Sequence, residues 1–382
     1  MDWTLWNWPF FEPHHQRLAD RVAEWQSPID DHAVTEDTLP EACRAIADSL
    51  ARAGLLDLVV PQEGDRIDLR SVCIAREGIG YRSALADCVI AMQGIGAGAI
   101  ALEGSAAQRE LLGAFRSGRQ IAAFALTEPG SGSDVAGIQT TAQRDGDHYI
   151  LNGDKAYISN APFADHYVVL ARTGEGPGAR GLSAFSVPTG TPGLIPGAPT
   201  ELIACHPAGP LQFRQCRVPA SALIGTPGRG FHLAMAVFDI FRTSVGAFSI
   251  GLARRALDET LARVRQRHLF GAPMAELPGV QEQIAEMSIE VEWGARAVYR
   301  AAWAKDTTGG RCTREASTAK LVATENAGRA IDRAVQIWGG LGVTRGAIIE
   351  QLYREVRAAR IYEGASEVQK IVIGRAVLQG LA

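Results

Sequence analysis

Ile121-Ala-Ala-Phe-Ala-Leu-Thr-Glu-Pro-Gly-Ser-Gly-Ser-Asp134 is the stretch at which the pattern of this chain changes. Before it, from about Pro13 to Arg119, apolar residues recur with a helical period: Leu39, Cys43, Ile46 and Leu50 share one helix face. Gly54 is placed to cap that helix ahead of an extended run, Leu55 to Val60, closed by Pro61. From Ile121 onward the runs are short. Ile121–Leu126, His148–Leu151, His166–Ala171 and Leu182–Val187 lie between Gly, Pro, Asn and Asp clusters and read as strands. Asp145-Gly146 is a hairpin signal, since both residues tolerate positive φ, and Thr226-Pro-Gly-Arg-Gly230 closes the β region. Long helical patterns then return at Gly246–His268, Gln281–Ala304 and Arg314–Gln336. The expected fold is mainly α with a central β domain: a helical domain over 1–120, a β domain over 121–230 and a helical bundle over 231–382.

With 382 residues, nearly half of them apolar, the chain can bury a large core. Its 38 basic and 42 acidic residues are scattered, so neither nucleic acid nor an anionic membrane is expected as the main partner. The six cysteines form no CxxC and stand far apart, which fits a reducing, cytoplasmic setting without a zinc cage or disulfide framework. The aromatic start MDWTLWNWPFF lacks the marks of a signal peptide and is expected to pack on its own domain or on a second subunit. No stretch reads as approaching the roughly 20 apolar residues of a membrane helix. The histidines show no HExxH and no pair on one helix face, so no metal site is expected.

Four runs could carry chemistry. Gly94-Ile-Gly96-Ala-Gly98-Ala99 reads better as close helix packing than as a dinucleotide loop, because no strand precedes it and the third glycine is absent. Leu126-Thr-Glu-Pro-Gly-Ser-Gly-Ser-Asp134 is either a plain turn or a loop of small residues whose amides and hydroxyls approach a polar ligand. In Lys155-Ala-Tyr-Ile-Ser-Asn160, alternation sends Tyr157 and Ser159 to one face of a strand, where they could stack on a ring and bond its edge, or simply pack in the core. Finally, Glu363 precedes Gly364, a helix breaker, and Ser366-Glu367 suit the start of a last helix. Locally, such a glutamate reads as a solvated or capping residue.

The last three runs, in this order and spacing, resemble the acyl-CoA dehydrogenase family over nearly the whole chain. The resemblance implies an N-terminal helical domain, a β-barrel-like middle domain and a C-terminal four-helix bundle, with FAD as cofactor. It implies that Leu126, Thr127, Ser133, Tyr157, Ser159, Ala365 and Glu367 line the cofactor, and that Arg267, Phe270, Gln336, Gly339 and Gly340 reach the FAD of a neighbouring subunit. Ser133, Asp239, Arg242, Tyr362 and Gly364 match positions at the acyl-CoA, and Glu363 matches the base that removes its α-proton. Some members carry the base just before the arginine that Arg242 matches; here that residue is Phe241. Three positions depart from the family pattern: Tyr157 replaces a usual Trp, Ala365 a usual Thr, and Pro278 a usual Gln. The implied reaction is α,β-dehydrogenation to a trans-2-enoyl-CoA, with electrons passed to an electron-transferring flavoprotein, in a homodimer or homotetramer. An oxidase using oxygen, or a relative with decarboxylating or desulfinating chemistry, is the alternative.

Overall fold

The computed structural model describes residues 8–62 and 66–380. Helices come first: α1 (Pro13–Glu24), α2 (Leu39–Arg52), α3 (Leu69–Arg82), α4 (Ala84–Glu103), α5 (Ala106–Arg109) and α6 (Leu111–Arg116). Strands follow: β1 (Ala122–Ala125), β2 (Thr141–Asp145), β3 (His148–Ser159), β4 (His166–Arg172), β5 (Leu182–Pro188), β6 (Leu194–Pro196), β7 (Ala208–Pro219) and β8 (Leu223–Ile224). The chain then forms α7 (Gly230–Gln266), a small hairpin of β9 (His268–Leu269) and β10 (Ala272–Pro273), α8 (Pro278–Thr308), α9 (Thr313–Trp338), α10 (Ile348–Ala359) and α11 (Ser366–Leu378). By internal contacts it divides into two compact units. One comprises the described residues up to Gln26, Asp68–Asp87 and those from Arg242 onward; the other comprises those from Ser27 to Ile67 and Cys88–Phe241.

In the second unit the strands form one sheet in the order β6-β7-β3-β2-β4-β5-β8, with β1 parallel to β4. The hairpin signal is realised: Asp145 pairs with His148 and Gly146 takes φ 59°. Tyr149, Leu151, Ile158, Tyr167, Val169, Phe185, Leu211 and Phe213 alternate inward to make the core of the sheet. The extensive partner of β3 is β7, in which the adjacent exposed residues Arg214 and Gln215, the latter at φ 49°, break the alternation and disguised it in the sequence. The expected helix face of α2 is buried at Leu39, Cys43, Ile46 and Leu50. Gly54 ends it at φ 67°, and Leu55 returns its amide to Leu50 O at 2.9 Å. The extended run expected after it is instead a 3-10 turn over Leu56–Leu58, because Val59 and Val60 bond back to Leu56 O. The glycines of α4 pack as expected: a Cβ on Gly94 would come within 2.4 Å of the Phe241 ring, and one on Gly96 within 2.6 Å of Ala122.

The first unit is helical. α8 and α9 lie together, α10 and α11 pack on α9, α3 on α8 and α1 on α3. α7 fits among them through glycine: a Cβ on Gly246 would meet Val298 of α8 at 2.7 Å, and one on Gly251 would meet Glu77 O of α3 at 2.2 Å. α3 is buried over nearly its whole surface, so its charges are paired internally. Glu77 accepts from Arg254 and from Tyr299, each at 2.6 Å. The described part of the aromatic start packs on its own unit, Phe10 against Trp303 and Phe11 against Tyr299; Trp3 and Trp6 lie outside the described residues. One expectation is corrected. α4 and α7 are each long and apolar enough to cross a membrane, and 83% and 78% of their most apolar windows are buried within the protein, as in core helices.

Candidate active site

In the sheet unit, β1 delivers the chain to buried Leu126 and half-buried Thr127. Glu128 turns inward and pairs with Lys155 of β3 at 2.8 Å; the same ammonium donates to Leu126 O at 3.0 Å. Glu128 also accepts from the amides of Gln139 and Thr140, and Ala156 N donates to Thr127 O at 3.0 Å. This buried pair locks the loop after β1 to the end of β3, and loss of one partner would cost about 3–5 kcal/mol. Burial pushes the Glu128 carboxyl up, but Lys155 and the two amides outweigh it and hold it below the ordinary range. Burial carries Lys155 down to about 8, against the pull of Glu128. Neither residue was given a function from the sequence; a Lys and a Glu inside two ligand-loop motifs are the only signal there.

Beyond Lys155, β3 is irregular. Its register against β7 slips between Lys155 and Ile158, and Tyr157 sits at φ 56°. Ile158 enters the core, and the irregularity interrupts the simple alternation expected to put Tyr157 and Ser159 on one face. Tyr157 is 62% exposed and is no core residue. Ser159 is half-buried and its Oγ lies 2.8 Å from His206 Nε2. Asn160 fixes the strand end, bonding Ala122 O through its side chain at 2.9 Å. In the loop, Ser131 bonds Asp134 O, Ser133 is exposed, and a Cβ on Gly130 or Gly132 would meet nothing within 4 Å. An exposed ring, a hydroxyl and bare backbone on adjoining segments suit the edge and face of a flavin.

In the helical unit, Glu363 lies in the break between α10 and α11 at φ 51°, a left-handed conformation that a residue with a side chain rarely adopts. Three side chains hold it there. Arg242 of α7 donates to Glu363 O at 3.4 Å, Lys320 of α9 to Gly364 O at 2.7 Å, and Gln369 of α11 to both carbonyls at 3.2 and 2.9 Å. Gly364, at φ 95°, is required because a Cβ there would stand 2.3 Å from Gln369 Nε2. The residue as a whole is half-buried, but its carboxylate Oε2 is shielded from solvent and has no hydrogen-bond partner among the described residues. Burial raises the carboxyl; Arg76, Lys320 and Arg242 pull it back, Asp87 adds to the rise, and the balance lies above the ordinary range. Arg76 is itself buried, bidentate to Asp87 at 2.9 and 2.6 Å and bonded to Ser244 Oγ at 2.8 Å. Sequence reasoning missed this trio, as it missed Lys320, Gln369 and Glu325, which accepts from Ser366 and Arg360 and anchors the start of α11.

Asp239 and Arg242 are both buried on α7, and Phe241 between them is fully buried. Tyr362, Gly364 and Ala365 are half-buried beside Glu363, and Glu367 is exposed. Arg267, Phe270, Gln336, Gly339 and Gly340 are all exposed. Phe270 and Gly271 form the two-residue loop between β9 and β10, both at positive φ, which leaves the Phe270 ring 95% exposed. Among the described residues, one cluster has metal-ligand composition: His14, His15 and Asp68. There His15 Nδ1 accepts the Glu12 amide, so its proton is on Nε2 and is donated to Asp68 at 2.9 Å; the lone pair a metal would need is already used.

Residues 123–216 match the family model of the acyl-CoA dehydrogenase middle domain, and residues 228–378 that of the acyl-CoA dehydrogenase C-terminal domain. The chain is 36% identical over 336 residues to the mitochondrial short-chain specific acyl-CoA dehydrogenase of Rattus norvegicus, covering 86% of this chain and 81% of that one. It is 35% identical over 356 residues to cyclohexane-1-carbonyl-CoA dehydrogenase of Geobacter metallireducens, covering 92% and 93%. The structure of butyryl-CoA dehydrogenase from Megasphaera elsdenii superposes with a TM-score of 0.86 at 30% identity, over 99% of this chain and 100% of that one. The matched domains and relatives are those of oxidoreductases of the flavoprotein type. The chain belongs to the acyl-CoA dehydrogenase family.

Proposed function

We propose that this protein oxidises an acyl-CoA thioester between its α and β carbons, giving a trans-2-enoyl-CoA, with Glu363 as the base. The observation that supports this reading most is the unpartnered, solvent-shielded Oε2 of Glu363, on a backbone clamped by Arg242, Lys320 and Gln369. An α-proton of a thioester is too weakly acidic to leave unaided, so the base must be strong, dry and fixed in place. Burial supplies the first two by disfavouring the charged carboxylate, and the three donors supply the third without consuming its oxygen. Phe241 leaves no carboxylate at the alternative position.

FAD, when bound, supplies the acceptor for the β-hydride. Leu126, Thr127, Ser133, Tyr157, Ser159, Ala365 and Glu367 would line it; Arg267, Phe270, Gln336, Gly339 and Gly340, all exposed, would reach the FAD of a second subunit in a homodimer or homotetramer. An arginine suits that task because its fork of donors matches phosphate oxygens. Asp239, Arg242, Tyr362, Gly364 and Ser133 would contact the acyl-CoA. Electrons then leave to an electron-transferring flavoprotein in the cytoplasm.

The test is Glu363→Gln. FAD should stay bound while bleaching of the flavin by acyl-CoA slows by at least about 10²-fold, the lower end of what a positioned base contributes. A variant that bleaches as fast as the parent removes Glu363 from the reaction, and stoichiometric peroxide release by the parent would replace the dehydrogenase reading with an oxidase.

A further inference from the structure

We propose that His206 is a positioning residue that orients the hydroxyl of Ser159, donating from Nε2 to Oγ so that the Ser159 proton is free to bond the oxidised flavin edge. The inference rests on the reading of Ser159 as a flavin-facing residue and goes beyond it, because it assigns a residue outside every motif that carries the family resemblance.

Ser159 Oγ and His206 Nε2 are 2.8 Å apart, and the next polar atom toward that nitrogen is Cys88 Sγ at 3.8 Å. Pairing of Ser159 with Ala208, at the start of β7, brings the segment just before β7 alongside the end of β3. Asn160 N bonds Pro207 O, the residue after His206, which holds the imidazole against the hydroxyl from the backbone side as well. A serine hydroxyl carries one proton. If it donated that proton to His206, it could offer only lone pairs to a ligand; with the imidazole as donor, it keeps the proton for a ring nitrogen. The alternative donor, the Cys88 thiol, makes a long sulfur contact to the same nitrogen at 3.8 Å and is the weaker partner beside a hydroxyl at 2.8 Å. Burial keeps the imidazole neutral, lowering it to about 4, so it brings one N–H and no charge beside a redox ring.

A hydrogen bond of this kind is worth about 0.5–1.5 kcal/mol, up to roughly tenfold in an equilibrium. The measurements are the visible spectrum and the two-electron potential of the FAD-loaded protein, neither of which depends on turnover. His206→Leu should shift the balance of oxidised and reduced flavin by up to about tenfold, about 30 mV, in the same direction as Ser159→Ala. The double variant should go no further than either single one. His206→Gln, which retains an N–H at similar reach, should return to within about twofold of the parent. Additive shifts, or a His206→Leu protein with parental spectrum and potential, overturn the proposal. Should His206→Leu fail to fold, failure of His206→Gln to match the parent overturns it equally. A parent protein that retains no FAD would instead fail at the earlier reading, and its colourless spectrum tells the two apart.

Discussion

Glu363, the base of the proposed reaction, depends on its backbone setting as much as on its side chain. Its identity and the glycine after it were legible in the sequence, but locally they described a capping residue. What changed the reading physically is the backbone: φ 51°, with two successive carbonyls held by Arg242, Lys320 and Gln369. The groups acting on the carboxylate come from four helices: Arg76 of α3, Asp87 of α4, Arg242 of α7 and Lys320 of α9. Burial prevails over the cations, so the carboxyl titrates above the ordinary value of about 4.3. Only the ionised form accepts a proton. The rate of flavin bleaching at saturating acyl-CoA should therefore fall as pH drops through that raised value. Lys320→Met, which removes one of the cations, should move this acid limb to higher pH; a limb that stays in place would separate Lys320 from the base.

At the scale of elements, the helical unit depends on glycines that sequence periodicity does not reveal. Apolar spacing located the buried face of α2 and the presence of the long helices, because burial follows the helical period whatever the partner is. It could not say which face of α7 meets α3, since that contact is made by the absence of a side chain. Gly251 approaches Glu77 O so closely that an added Cβ would stand 2.2 Å away, against backbone that cannot yield. Gly251→Ala should cost about 1–3 kcal/mol in urea unfolding. Gly374 in α11 meets nothing within 4 Å, so Gly374→Ala should stabilise by about 0.5–1 kcal/mol through the unfolded chain. Strand β7 escaped sequence reading for a related reason: its outward Gln and Arg residues break the apolar run, and only pairing with β3 makes it a strand.

For the whole molecule, buried histidines link fold stability to pH. Burial holds His166 and His206 neutral, each lowered to about 4 from an ordinary 6.5. Above pH 6.5 both states of the chain carry these rings uncharged and stability is at its full value. Below it the unfolded chain takes up protons that the folded one refuses, so stability should decline steadily from about pH 6.5 toward 4. Urea midpoints at pH 7.5 and 5.0 measure this, and the His206→Gln protein should lose less between them than the parent.

By itself the sequence determined the succession of helical, β and helical segments, the loop of small residues at Thr127–Asp134, the aromatic and hydroxyl near the end of β3, and the carboxylate at residue 363. These are written in local spacing and turn chemistry, which act over a few residues. Tertiary structure decided the rest: the Glu128–Lys155 pair that fastens two motifs together, the Arg76–Asp87–Ser244 trio, the donors behind Glu363, and His206 against Ser159. Apart from Gln369, which reaches back only five and six positions, each of these joins residues from 11 to 168 positions apart, and one sequence specifies no such contact until the core closes around it.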